Sequence, residues 1–513
     1  MMRRRTAPTR RRAKQKRSST GCRTCRARHV KCDESPGACS NCSSTGRLCD
    51  GYDMHRLTYT RSTVCLPTVG GHICRMLNAD ERRYFSYFQH HVIANFVAFF
   101  DSQLWQRLVL QMVDAEPTVY HAVNMLAAIH EDSVKSQMQL VGIRLHHPRH
   151  QFALEQSTRS LALLSKRGRS QDPQVREVTL MCCLLFTLSE FLLGHYTTAF
   201  QHLHSGIRIL DEAQQVQSCS RDQDLVEAFR RLDIMGAHYG IGPFMTTNLQ
   251  LKERGLSSCI PSRLDSLEEA LQAVRHLMAI EVPWVTKCWS LSDTEILANY
   301  VVLCQKQRAF LSAFETFAER FEIFWQRKYA TLSSKEQRGA ELLRLQYLSQ
   351  ILTVKICLTH GPVPEYLTPE FVTLLAAHEA FMQKSPERPS IFLDIGVISG
   401  LYCVSNRCPD HRVRLRAIKT LQSWPHFQGM MNSSLVSAIA VARMQSELEK
   451  RHLAEATAIS SDTEQRLTRF LFDTLAFTQH ADGWPSLRYG KVLQGASQGS
   501  TTQKFPLIEA YHD

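Results

Sequence analysis

Beyond about residue 79, apolar positions recur every three or four residues, the spacing that places them on one face of an α-helix. The first stripe runs from Tyr84 to Phe99, and Pro117 stands where another helix can begin. Alternating apolar and polar residues, the pattern typical of strands, are nearly absent. The sequence therefore predicts an all-α fold for this region. The stripes are Tyr84, Phe88, Val92, Phe96 and Phe99; Tyr120, Val123 and Ala127; Leu161 and Leu164; Phe200, Leu203, Ile207 and Leu210; Phe310, Phe314, Phe317, Phe321 and Phe324; and Leu345, Leu348, Leu352 and Ile356.

One nearly continuous apolar run lies between Val178 and Leu193. Glu190 interrupts it, and it is shorter than the ~20 residues that span a bilayer, so it predicts a buried helix rather than a membrane segment. The phenylalanine stripe from Phe310 to Phe324 has two interpretations, a ligand-binding pocket or part of the core. Because a stripe at helical spacing is typical of a face packed inside the protein, the core interpretation is favoured.

The composition of the chain changes at three points, which predicts four segments. Residues 1–19 are basic and too poor in apolar side chains to fold alone. Residues 20–50 are rich in cysteine, and residues 51–78, with three glycines and one proline (Gly51, Pro67, Gly70 and Gly71) and little periodicity, are typical of a linker. Residues 79–513 are long enough to bury a large core, either single or divided in two. Near their end, Ser461 and Glu464 form a capping box that predicts one more helix.

Charge is distributed very unevenly along the chain. There are 61 Lys and Arg against 48 Asp and Glu, a formal net charge of +13. Residues 1–31 contain thirteen of the basic residues and no acidic one, which leaves 48 of each sign from Cys32 onward. Such an arm is typical of nucleic-acid binding. Its blocks Arg3–Arg5, Arg10–Arg12 and Lys14–Arg17 predict nuclear import, since the arm lacks the apolar face of a mitochondrial transit peptide.

Six cysteines dominate residues 22–49: Cys22, Cys25, Cys32, Cys39, Cys42 and Cys49. They form two Cys-x-x-Cys pairs, each followed after six residues by a single cysteine. The x-x spacing lets two thiolates bind one tetrahedral zinc. One zinc ion would leave two sulfurs unused, and two separate zinc ions would need eight. We therefore predict two zinc ions that share two sulfurs. Because the spacing repeats, the shared ligands are predicted to be the first cysteine of each half, Cys22 and Cys39. Disulfides are typical of small secreted domains, and RING or LIM sites require histidine ligands or another spacing.

This spacing, with the basic run Arg26–Lys31 and the Cys32-Asp33 that follows, resembles the fungal binuclear zinc cluster family of transcription regulators. The resemblance implies that each half is a short helix and a loop around two zincs, and that the end of the first helix reads a G/C-rich triplet in the DNA major groove. It also implies that Arg28 and His29 face the bases. His29 stands where lysine is common in the family. The predicted DNA-contacting residues are Arg23, Arg26, Arg28, His29, Lys31 and Arg47, with plain phosphate contact favoured for Arg23 and Arg47.

The segment from about residue 80 to about residue 280 resembles the fungal-specific transcription factor domain, which is helical and regulatory in that family. The resemblance rests on residues 120–130, 193–196, 199–203 and 260–264. It implies a response to co-regulator proteins or a small-molecule effector, and family members often control metabolite pathways, including gene clusters. We find no heptads between Asp50 and Asn78, so dimerisation through the linker is unsupported. A single half-site, or dimerisation through the large region, stays open.

Other candidate chemistry in the large region is weaker. His146, His147 and His150 form a local group without nearby acidic or cysteine partners, which predicts a loop rather than a metal site. The other cysteines lack ligand spacing and are expected to be reduced and buried. The Gly495–Gly499 match to Gly-x-Ser-x-Gly has no strand-to-helix context, so we predict no catalytic residues and no enzyme.

The sequence therefore predicts a nuclear, DNA-binding regulator of transcription by RNA polymerase II that binds two zinc ions and double-stranded DNA. The alternative is a non-catalytic nuclear adaptor whose basic arm binds nucleic acid nonspecifically. An enzyme tethered to DNA is a third, weaker hypothesis.

Overall fold

The computed structural model describes residues 22–28, 30–33, 35, 38–49, 78–140, 147–167, 174–214, 222–237, 260–385 and 388–455. Several predictions lie outside these residues: the basic arm 1–19, the contact residue His29, nearly all of the linker, His146 of the histidine group, the Ser461 capping box and the Gly495–Gly499 segment. They stay predictions.

The predicted all-α class is confirmed. Two short helices, α1 (Arg23–Ala27) and α2 (Ser40–Ser43), belong to the cysteine-rich segment. The helices of the large body, residues 78–455 as far as they are described, are α3 (Ala79–Tyr87), α4 (Ile93–Phe96), α5 (Val109–Ala115), α6 (Pro117–Lys135), α7 (Pro148–Arg167), α8 (Gln174–Leu193), α9 (Tyr196–Gln214), α10 (Asp222–Ala237), α11 (Leu267–Ser290), α12 (Asp293–Ala298), α13 (Tyr300–Lys328), α14 (Ser334–Ile356), α15 (Thr368–Lys384), α16 (Val397–Arg407), α17 (His411–Gln422) and α18 (Ser433–Glu455).

Local sequence signals determine where several helices begin. The Asn78 side chain accepts a hydrogen bond from the Glu81 backbone N–H at 2.7 Å, and the Glu81 carboxylate accepts from the Asn78 N–H at 3.3 Å. This capping box satisfies donors that the first turn of α3 leaves free. Pro117 is the first residue of α6, as predicted, because a first-turn residue needs no N–H donor.

The first apolar stripe is helical but is not one continuous α-helix. A π-helical turn, Phe88–Val92, separates α3 from α4, and α4 ends at Phe96, before the predicted Phe99. The wider turn accommodates one extra residue, so the stripe still faces inward. Phe96 stacks on Trp105 with ring centroids 4.1 Å apart, which anchors the segment after α4.

The predicted core helices are confirmed. Helix α8 covers the apolar run from Val178 to Leu193, and its apolar residues there are buried or half-buried. On α13, the phenylalanines from Phe310 to Phe324 are at most 1% exposed, as the core interpretation requires. Among the residues that the structure describes, no helix has both the length and the apolar character needed to cross a bilayer.

One hydrophobic core connects the early and late parts of the body, and its buried members run from Tyr84 to Val436. Polar contacts reinforce this connection. The Nε2 atom of the buried His130 lies 2.8 Å from Ser390 Oγ, and Tyr196 donates a hydrogen bond from its hydroxyl to the Met430 carbonyl at 3.2 Å. The first half of the body is therefore packed against residues more than two hundred positions later.

A small three-stranded sheet, which the sequence pattern did not predict, lies at the centre of these contacts. Strand β1 (Ile391–Phe392) pairs in parallel with β2 (Phe427–Gln428), and β2 pairs antiparallel with β3 (Met431–Asn432). Gly429 begins the β2–β3 turn with φ of +60°, and an added Cβ would lie 1.9 Å from Met235 Sδ. Both the backbone conformation and the contact therefore require glycine.

Glu281 is a buried carboxyl group in α11. Its side chain is fully buried, and neither oxygen has a hydrogen-bond partner among the described residues. Burial raises the pKa of Glu281 well above its usual value, because a charged carboxylate would lose its hydration. In the unfolded chain, the Glu281 carboxyl group ionises at the ordinary pKa of glutamate. Glu281 therefore makes folding less favourable as the pH rises above that ordinary pKa.

We expect Glu281→Gln to stabilise the chain at pH 8 by ~1 kcal/mol or more, because the amide needs no proton to stay neutral. The gain should shrink towards pH 5. Urea unfolding followed by circular dichroism at both pH values measures it. Glu268→Gln, at an exposed position of the same helix, is the matched control and should change stability little. Equal stability of Glu281→Gln and the unmodified chain at pH 8 would contradict the prediction.

Candidate metal centre and nucleic-acid interface

Residues 22–49 contain one local structure twice, with equivalent residues seventeen positions apart. Each half begins with a cysteine that directly precedes a short helix, α1 or α2. The same backbone hydrogen bonds then recur at almost the same lengths. They are Cys25 N to Cys22 Sγ and Cys42 N to Cys39 Sγ, both 3.3 Å; Cys22 N to Cys32 Sγ and Cys39 N to Cys49 Sγ, both 3.4 Å; and Val30 N to Cys25 O and Arg47 N to Cys42 O, both 3.0 Å.

The sulfurs of the two halves converge on a common centre. Cys22 Sγ lies 3.5 Å from Cys39 Sγ and 3.8 Å from Cys42 Sγ, and Cys25 Sγ lies 3.6 Å from Cys39 Sγ. A tetrahedral zinc with Zn–S bonds of about 2.3 Å places its sulfurs about 3.8 Å apart, so these separations fit zinc thiolate geometry. Cys25 Sγ also lies 3.9 Å from Cys42 Sγ, so the sulfurs of Cys22, Cys25, Cys39 and Cys42 are all close to one another.

Burial raises the pKa of the Cys22, Cys25 and Cys39 thiols, since their thiolates would be removed from water without compensation. Only a thiolate binds zinc well, so the metal has to displace these protons and supply the missing positive charge. Two zinc ions and six thiolates still carry a net negative charge. Basic side chains are therefore needed around the centre if it is to approach DNA phosphates.

Asp33 connects the loop of the first half to the helix of the second, a role the sequence analysis missed. Its carboxylate accepts hydrogen bonds from the backbone N–H groups of Ser40 and Asn41 at 3.0 and 3.2 Å, and from the hydroxyl of Ser35. These hydrogen bonds lower the pKa of Asp33, with Ser35 as the largest cause. The acidic residue directly after Cys32 is the sequence signal that could have indicated this helix-capping role.

The basic residues of the two halves are not symmetric. Arg23, Arg26, Arg28 and Lys31 correspond, seventeen positions later, to Ser40, Ser43, Thr45 and Leu48. The positive charge of the cluster is thus concentrated on the first half, with Arg47 as the described exception. The two halves therefore share one metal-binding framework, but the first half has the charge that is suited to binding a polyanion.

The structure locates some of the predicted DNA-contacting residues. Arg28 is half-buried, and its Nη1 donates to Thr45 Oγ1 at 3.4 Å, across the two halves. Lys31 and Arg47 are exposed. Arg23 and Arg26 lie on α1, for which the structure describes the backbone, and His29 lies outside the described residues.

Comparison with protein families agrees with this geometry. Residues 20–58 match the model of the fungal Zn(2)-Cys(6) binuclear cluster domain. The chain therefore carries a fungal Zn(2)-Cys(6) binuclear cluster domain. Its cluster domain binds two zinc ions, as predicted. Residues 83–254 match the fungal specific transcription factor domain, within the range expected from the sequence. Neither match is to a catalytic family, and the second is to a transcription factor domain.

Several curated fungal regulators are similar to this zinc-cluster protein. The transcription regulator lscL of Purpureocillium lilacinum is 27% identical over 217 residues, covering 40% of this chain and 51% of lscL. The aspercryptin biosynthesis cluster-specific transcription regulator atnN of Emericella nidulans is 26% identical over 304 residues, covering 51% of this chain and 46% of atnN. The chain thus spans about half the length of these relatives. No solved structure matches it.

The body of this zinc-cluster protein requires one correction to the sequence analysis. His147 and His150 do have an acidic partner, because Asp132 of α6 lies against the start of α7. The residues are far enough apart in sequence that only the packing of α6 on α7 brings them together. The described cysteines of the body form no disulfide. Cys182, Cys288, Cys357, Cys403 and Cys408 are buried, as expected, whereas Cys183 and Cys304 are only half-buried.

Proposed function

We propose that this chain is a sequence-specific DNA-binding regulator of RNA polymerase II transcription that acts in the nucleus. Its cluster, residues 20–50, reads a short G/C-rich half-site, and its helical body, residues 79–513, regulates that activity. The observation that carries the proposal is the doubled sulfur framework with its positive charge concentrated on the first half. A framework used for protein contact alone would have no need of that asymmetry.

In this proposal, the six cysteines bind two zinc ions, with Cys22 and Cys39 as the shared ligands. The assignment rests on the repeat, in which Cys22 and Cys39 are the equivalent first cysteines of the two halves, and the 3.5 Å separation of their sulfurs is compatible with it. Each remaining pair, Cys25 with Cys32 and Cys42 with Cys49, completes one tetrahedron. Zinc closed by four sulfurs has no free position for substrate or water, so its role is to hold the fold.

The first half faces the DNA in this proposal. Arg28 follows α1 directly, and its hydrogen bond to Thr45 orients the guanidinium before DNA arrives. A bidentate arginine contact with guanine O6 and N7 is the commonest specific base contact. We assign Arg28 and His29 to base reading, Arg26 and Lys31 to the adjacent backbone and groove edge, and Arg23 and Arg47 to phosphates.

We further propose that the regulated genes form a biosynthetic gene cluster. The name of the relative atnN, a biosynthesis cluster-specific regulator matched over 51% of this chain, supports this level of function. The body would then respond to a co-regulator protein or a small-molecule effector. Dimerisation would have to use the body if the half-sites are paired.

Binding assays separate this proposal from the adaptor alternative. Salt dependence alone is expected of any basic arm, whereas a regulator should also prefer a G/C-triplet probe over a scrambled duplex by about 10³-fold or more. Genome-wide mapping of occupied sites would then identify the genes. Equal affinity for both probes at every salt concentration would favour the adaptor.

We expect Arg28→Ala to weaken binding to the preferred duplex by ~1–3 kcal/mol and to relax base choice, because one base contact is lost. Arg11→Ala, in the basic arm, should weaken all duplexes alike by removing a phosphate contact. Fluorescence anisotropy with specific and scrambled probes measures both variants. If Arg28→Ala affected both probes equally, as Arg11→Ala is expected to, Arg28 would have no reading role.

A further inference from the structure

We propose that Asp132, His147 and His150 bind one divalent transition-metal ion of the zinc class in the helical body, separate from the cysteine cluster. One ligand atom from each residue lies within 4.8 Å of the other two. His150 Nε2 is 3.0 Å from Asp132 Oδ2, and His147 Nε2 is 3.5 Å from Asp132 Oδ1. A tetrahedral ion with bonds of about 2.0 Å holds its ligand atoms about 3.3 Å apart, so small side-chain shifts admit the metal.

The ligands come from two helices that are packed together. Asp132 is in the last turn of α6, and His150 is in the first turn of α7 with His147 just before it. Asp132 and His150 are 4% and 3% exposed, which restricts competing water. His147 is partly exposed, so an ion can enter from its side. Two imidazoles and a carboxylate are a donor set that zinc prefers, and three protein ligands leave one position open.

The neighbouring basic side chains orient the acidic residues of the site and do not take the place of the metal ion. Arg149 Nη1 donates to Asp132 Oδ1 at 3.2 Å, the contact that commonly orients a ligating carboxylate from outside the metal shell. Arg149 also contacts Glu131, and so do Arg83 and Lys135 at 2.6 and 2.9 Å. The positive side chains are therefore distributed mainly over Glu131, while Asp132 Oδ2 faces the imidazole of His150.

Such an ion would connect the end of α6 to the beginning of α7. A metal that binds the folded body and not the unfolded chain raises its stability in proportion to the logarithm of free metal. The helical body would then respond to metal supply independently of the structural zinc ions in the cluster. The open position would accept water or a side chain of a partner protein.

The test uses the untagged full chain with its cysteine cluster already loaded with zinc, titrated with Co²⁺. We expect one further equivalent to bind without a thiolate-to-cobalt charge-transfer band, because its ligands are nitrogen and oxygen. Zinc should bind at the same stoichiometry, as measured by equilibrium dialysis with elemental analysis. It should also raise the thermal midpoint of the body by a few degrees.

His147→Ala should lower affinity for this third equivalent by more than ~100-fold, since even outer-shell changes cost 10–100-fold. His150→Gln should lower the affinity to a similar extent. If this variant fails to fold because His150 is buried, the affinity of His147→Ala, at a partly exposed position, is the deciding measurement. His195→Ala is the matched control, because His195 pairs with Glu190 at 2.9 Å but belongs to no such three-residue group among the described residues. Saturation at two zinc ions, or a third equivalent that survives His147→Ala, would overturn the proposal.

Discussion

Cys22→Ala is expected to release both zinc ions, unfold residues 22–49 and abolish specific DNA binding. A shared sulfur holds both metals, and in small zinc domains metal binding, worth ~10–16 kcal/mol, is the folding free energy. The two small helices cannot compensate, since α1 has five residues and α2 has four. Elemental analysis should find the two cluster ions missing, while circular dichroism of the large helical body stays nearly unchanged.

Two further variants make this result specific. Cys49→Ala removes a ligand of one ion only, so it should retain more zinc than Cys22→Ala. Cys304→Ala, a partly buried cysteine of α13 outside the cluster, should keep both ions. If Cys22→Ala retained two zinc ions, Cys22 would not be a shared ligand. If Cys22→Ala and Cys49→Ala lost zinc equally, the two positions would be indistinguishable and the bridging assignment would fail.

Phe321→Ala is expected to destabilise the helical body by ~3–5 kcal/mol, because it leaves a cavity in a tightly packed aromatic cluster. Phe321 is fully buried, and its ring centroid lies 5.8 Å from that of Phe317 and 5.7 Å from that of Tyr347, which belongs to α14. The cavity would open between α13 and α14. Urea unfolding followed by circular dichroism measures the loss.

Ile323→Ala provides the matched control on the same helix. Ile323 is 60% exposed, so its truncation should change stability by less than ~0.5 kcal/mol. The comparison also tests the pocket interpretation of the phenylalanine stripe. If Phe321→Ala cost no more than Ile323→Ala, the stripe would border an adaptable cavity rather than a packed core.

The parts of this protein that the sequence predicted are those encoded locally. The cysteine spacing determines which thiols can turn toward a common metal, and Pro117 or the stripe on α13 depends only on residues within a few turns. The π-helical turn at Phe88–Val92 was not predicted because it changes the number of residues per turn without changing the apolar pattern.

The missed features depend on tertiary packing. Asp132 meets His150 only because α6 lies against α7, and the small sheet pairs Ile391 with Phe427, thirty-six positions later. Strands of two residues are too short to show any alternation. Asp33 is an intermediate case, since its position after Cys32 was noted but its contact with the start of α2 needed coordinates.

The continuous core of the body has a practical consequence for anyone preparing fragments of this protein. A truncation that follows the matched domain and stops near residue 254 would remove the residues that cover its apolar interior. His130 would lose Ser390, and Tyr196 would lose the carbonyl of Met430. The recombinant fragment should aggregate, so the boundary of the recognisable homology is not a boundary for autonomous folding.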